Sequence, residues 1–157
     1  MRMTQPTTVP VIANAQQGMS LLEVLIAVLV LSIGMLGVAG MQTANIKNSQ
    51  SAQLRSVAVV LAAGMAERIR AQPQAARAGL FSLAKQCGAL SSNSTLAQRE
   101  MSSWINDIRL RLGTIDTTCG QIVHDSQNRT YTVMVIWDDS RALGGLSAMT
   151  IRNTVRY

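Results

Sequence analysis

The sequence predicts an α+β fold: a long N-terminal α-helix, its first half transmembrane, joined to a small head with a second helix and an antiparallel β-sheet. Three observations lead there. Met19 to Met41 is an almost unbroken aliphatic run. Gln42 to Gln72 contains no proline and keeps a helix-friendly composition, with Gly64 its one interruption. The last third changes to a two-residue period rich in β-branched and aromatic residues. At 157 residues the chain holds one modest folded unit besides a membrane segment.

The apolar run reads MSLLEVLIAVLVLSIGMLGVAGM, and Glu23 is its only charge. At ~1.5 Å rise per residue, a helix of this length crosses a hydrocarbon core of roughly 30 Å. The run is too long for a secretory h-region, and no small-residue cleavage box follows it directly. Residues 19–41 are therefore read as a transmembrane or filament-core helix. Glu23 is its anomaly, because an ionised carboxylate facing lipid costs several kcal/mol. Either Glu23 lies near enough to the membrane surface to reach water, or it takes a cationic partner. Gly34, Gly37 and Gly40 sit at a spacing that permits close helix contact or lets the helix loosen.

The segment Gly18-Met19-Ser20-Leu21-Leu22-Glu23-Val24-Leu25-Ile26-Ala27 resembles the N-terminus of the type IV pilin family, and within it the minor pilins of the PilV kind. The resemblance implies a prepilin leader at 1–18, cut between Gly18 and Met19 by a prepilin peptidase that also methylates the new amine of Met19. It further implies that Glu23, five places into the mature chain, pairs with the N-terminal amine of a neighbouring subunit. Such pairing makes a buried carboxylate tolerable and sets axial register. Two features depart from the family pattern. Gln16 and Gln17 stand where family leaders commonly carry Lys or Arg, and Arg2 is the leader's only basic residue. Lys47 and Arg55 follow the apolar run, opposite to the simplest form of the positive-inside rule.

What the resemblance implies is a minor pilin that helps initiate or joins type IV pilus assembly, supporting adhesion and twitching motility. Its partners would be other minor pilins, the major pilin, the prepilin peptidase, the inner-membrane assembly machinery and the membrane itself. It would sit in the inner membrane with its head in the periplasm, then in a pilus at the cell surface. The same N-terminal chemistry serves a minor pseudopilin of a type II secretion system. A signal-anchored periplasmic binding or sensor protein, its leader uncut, is the reading from a different class.

Beyond the membrane run the helix continues over 42–72 and ends before Pro73. Leu54, Val57, Leu61, Met65 and Arg68 or Ile69 recur at helical spacing and form a stripe for the head. The head occupies 73–157. Gln74 to Ser94 reads as a short helix and loop. Thr95 with Gln98 makes a capping box, opening a helix whose face is Ala97, Met101, Trp104, Ile105, Ile108 and Leu112 and which ends at Gly113. Strands are predicted at Gly120 to His124, Tyr131 to Trp137 and Leu146 to Tyr157, forming an antiparallel meander across the long helix. In the last, Met149, Ile151, Val155 and Tyr157 alternate with Thr150, Arg152, Thr154 and Arg156, giving one buried and one wet face. The text Tyr131 to Asp139, YTVMVIWDD, is similar to the C-terminal strand of PilV-type proteins.

Composition excludes several classes. The net charge is +6, but the arginines are scattered and aromatics make up 3% of residues, so no stacking platform for nucleic acid is predicted. Cys87 and Cys119 fit neither a redox CxxC nor a zinc site, and in an oxidising compartment they would form a disulfide. Nothing near His124 in sequence makes a nucleophile and base pair around it, and it is read as structural or solvent-exposed. Asp138-Asp139 lacks the remaining ligands of a calcium loop and is read as a solvated turn. No catalytic residue, metal site or cofactor is predicted.

Overall fold

The computed structural model describes residues 18–91, 94–114 and 116–157; the leader expected at 1–18 lies, except for Gly18, outside the described residues. The fold is α+β, in the order α1 (Leu21–Arg70), α2 (Pro73–Arg77), β1 (Leu83–Gln86), α3 (Leu96–Leu112), β2 (Cys119–Asp125), β3 (Thr130–Trp137) and β4 (Met149–Arg156). The described residues fall into two compact units, one ending at Gly40 and the other running Met41–Tyr157.

The first unit is helical from Leu21 onward, and every residue from Gly18 to Gly40 is exposed in the isolated chain. Ser32, the one hydroxyl within its apolar text after Ser20, donates to the carbonyl of Val28 at 2.7 Å. That bond lets a polar side chain enter an apolar environment with its donor satisfied. A helix containing this segment is long and apolar enough to cross a membrane.

The second unit is built on the rest of α1. Its core face consists of Ala58, Leu61, Ala62, Met65, Ala66 and Ile69, all buried, with Leu54 and Val57 partly buried beside them. The expected stripe is present, but the alanines widen it by letting the neighbouring layer approach closely. Arg68 turns aside from the core and meets Glu100 at 3.1 Å and Asp107 at 3.8 Å. Both pairs are about one-third exposed, so each contributes less than about 1 kcal/mol.

α3 starts as predicted. Thr95 accepts from the backbone of Gln98, and the Gln98 side chain accepts from the backbone of Thr95 at 3.1 Å, a complete capping box. All six residues of the predicted face are buried. The four strands form one antiparallel sheet in the order β1-β2-β3-β4. Ile122 faces Val133, which in turn faces Asn153, and a one-residue slip would carry Val133, Val135 and Val155 out of the core.

Four expectations need correction. The helix ends at Arg70 rather than Gln72, and β4 begins at Met149 rather than Leu146. The stretch Gln74 to Ser94 contains a strand, β1, that pairs with β2 through an irregular register. Asp139 is not part of a solvated turn: it is 4% exposed, and its carboxylate accepts from Ser51 Oγ at 2.7 Å. The loop after β3 folds tightly around it, since a Cβ on Gly145 would fall 1.8 Å from the Asp139 carbonyl oxygen.

Candidate functional site at the start of the first helix

Gly18 and Met19 precede the helix, and neither carries regular secondary structure. A Cβ on Gly18 would meet nothing within 4 Å, and Met19 is 74% exposed. The peptide bond between them is thus on the surface of the isolated chain, outside any hydrogen-bonded element. Ser20 opens α1, its carbonyl accepting from Glu23 N at 3.0 Å and Val24 N at 3.2 Å.

Glu23 occupies the first turn. Leu21, Leu22, Val24, Leu25 and Ile26 around it are all exposed. Among the described residues its carboxylate has no counter-charge. The arrangement presents one acid near the N-terminal end of an aliphatic surface that the isolated chain leaves uncovered. A carboxylate in the first turn gains about 0.3–1 kcal/mol from the helix dipole. That is smaller than the several kcal/mol of placing it in lipid or in a dry protein interior, so the dipole alone does not offset burial.

Residues 13–39 match the family model of the prokaryotic N-terminal methylation motif. The chain therefore carries a type IV pilin-like prepilin signal, and the matched segment contains Gly18, Met19 and Glu23. The signal is that of structural subunits of the pilin-like and pseudopilin kind rather than of an enzyme, and with the apolar helix it fits a single-pass inner-membrane anchor. No curated protein and no solved structure was found to match the chain.

The other singled-out residues lie in the second unit. Cys87 and Cys119 form a disulfide that ties the end of β1 to the start of β2. His124 is half-buried: Nε2 lies 2.7 Å from Tyr157 Oη, and the ring stacks on Tyr131 with centroids 4.5 Å apart. Tyr131 also donates to the carbonyl of Ala76 at 2.7 Å and meets Phe81 edge-on. His124 is thus a packing and hydrogen-bonding member of an aromatic cluster. Asp138 caps its own turn, accepting from Ser140 N at 2.8 Å, and these bonds hold its carboxyl below the usual value. The Ser51–Asp139 contact had no local signal in sequence, because 88 residues separate its partners.

Proposed function

We propose that this chain is a minor pilin, cut between Gly18 and Met19, methylated on the new amine of Met19, and assembled through Glu23 into a type IV pilus. The observation that carries the reading is the juxtaposition of Gly18-Met19, the first-turn Glu23 and the uncovered aliphatic helix within one methylation-motif match. In the membrane, lipid covers the helix. In a filament, helices of neighbouring subunits replace lipid, and the carboxylate of Glu23 then sits beside the freed amine of Met19 from another copy or another pilin.

The domain reading follows from that mechanism. Residues 1–18 are the leader, 19–41 the membrane and filament-core helix, 42–72 its continuation under the head, helical as far as Arg70, and 73–157 the head, which faces the periplasm. The disulfide between Cys87 and Cys119 supports this placement, since such bonds persist in oxidising compartments. Other minor pilins, the major pilin, the prepilin peptidase and the assembly machinery are the partners.

The test is N-terminal sequencing of the full-length product from membranes with and without the prepilin peptidase. Methylated Met19 as first residue only when the peptidase is present supports the proposal. A chain that keeps its leader under both conditions overturns it and leaves a simple anchor.

A further inference from the structure

The second unit carries an open polar surface depression of about 490 Å³ lined by the exposed Arg77, Ser126 and Arg129 and the half-buried Tyr157. Its two arginines come from separate elements. Arg77 ends α2, and Arg129 closes the hairpin between β2 and β3. Among the described residues neither guanidinium has a hydrogen bond or an ion pair, and no carboxylate side chain lines the depression. The nearest acid in sequence, Asp125, is occupied by the turn itself. It accepts from Gln127 N and Asn128 N at 3.0 Å and from Asn128 Nδ2 at 2.7 Å.

Arg129 also sits where its side chain is conformationally disfavoured. Its φ is 54°, the one positive value at a non-glycine position among the described residues. Glycine or asparagine takes this conformation at lower cost than arginine. Tyr157 is held in place at the same depression, because its hydroxyl meets His124 Nε2 and its backbone N–H donates to the Arg129 carbonyl at 3.1 Å. When His124 Nε2 carries the proton, the phenol accepts from it and keeps its own O–H free to donate into the depression.

We propose that Arg77 and Arg129, with the hydroxyls of Tyr157 and Ser126, bind a phosphate-class oxyanion. Two guanidinium forks supply charge and paired N–H donors for a dianion, and the hydroxyls supply neutral donors. The site is independent of the assembly chemistry at Glu23, so either reading can fail without the other.

The test uses the full chain in detergent at fixed ionic strength, titrated with inorganic phosphate and separately with glycerol phosphate. Side-chain N–H resonances of Arg77 and Arg129 should shift and saturate, whereas matched chloride should not move them. Saturation by both probes identifies a phosphomonoester site, and saturation by inorganic phosphate alone identifies a site for the free ion. The variant Arg129→Gly removes the charge while relieving the backbone. It should melt about 3 °C higher than the parent without anion and lose at least tenfold in phosphate affinity. Arg77→Gln should lose affinity without the gain in melting temperature. Absence of a saturable shift with either probe, or full affinity in Arg129→Gly, overturns the proposal.

Discussion

The indole Nε1 of Trp104 donates to the carbonyl oxygen of Leu61 at 2.9 Å, a buried bond that joins α3 to the core face of α1. The helical carbonyl retains a second lone pair for its own helix, so one fully buried indole, 1% exposed, both fills the core and fixes the two helices against sliding.

Replacing Trp104 by Phe removes that donor and part of the ring. The change should cost roughly 1–3 kcal/mol, the sum of one net hydrogen bond and a small cavity. Thermal or denaturant unfolding of the full chain in detergent measures it. A loss below about 0.5 kcal/mol would show that the bond does not tie the helices.

Gly120 of β2 lies under the same ring. A Cβ there would stand 2.6 Å from Trp104 Cζ3 and 2.6 Å from Ile105 Cδ1. Gly120→Ala should therefore destabilise by about 1–3 kcal/mol through overpacking, although alanine suits a strand better than glycine does. A rise in melting temperature would mean that α3 yields to the added methyl freely.

The bond between Cys87 and Cys119 spans a sequence separation of 32. Chain-entropy reasoning assigns such a loop roughly 3–4 kcal/mol, and substituting both cysteines by serine should remove about that much. The oxidised parent should also change gel mobility on reduction, and the double variant should not.

Burial raises the Tyr131 phenol above its ordinary 10.0. The folded state keeps its proton at pH values where the unfolded chain has lost it. The associated stability is therefore complete below about pH 10 and declines as pH rises beyond it. Denaturant midpoints measured across pH 9 to 11 should fall, and Tyr131→Phe should flatten that part of the fall. An identical slope in the variant would assign the alkaline loss to other groups.

Local signals explain which parts of this fold were legible. The Thr95–Gln98 capping box and the spacing from Ala97 to Leu112 lie within a few turns of one another, so periodicity and cap chemistry announced α3 directly. Val155 and Arg156 declared the two faces of β4 in the same way. β1 was not legible. Leu83–Gln86 is short, contains Lys85 and lacks β-branched residues, and it becomes a strand because β2 and the disulfide hold it. Burial of Asp139 was equally hidden, since adjacent aspartates read as solvated until Ser51 is brought to one of them. At the N-terminus the reverse holds. Gly18, Met19 and Glu23 are placed by linear spacing, and the fold adds that every residue of the helix from Leu21 to Gly40 is exposed in the isolated chain.

On the proposed reading, Glu23 is neutralised by another subunit's freed amine when the helix leaves lipid. The most direct measurement is the amount of Glu23→Ala recovered in sheared, purified filaments relative to the parent, both expressed at equal levels in cells carrying the peptidase. The variant should still be cut before Met19, because Glu23 lies beyond the scissile bond, yet be depleted at least tenfold from filaments, in line with loss of one desolvated charge pair worth several kcal/mol. Recovery of the variant in filaments at the parent's level would contradict the claim.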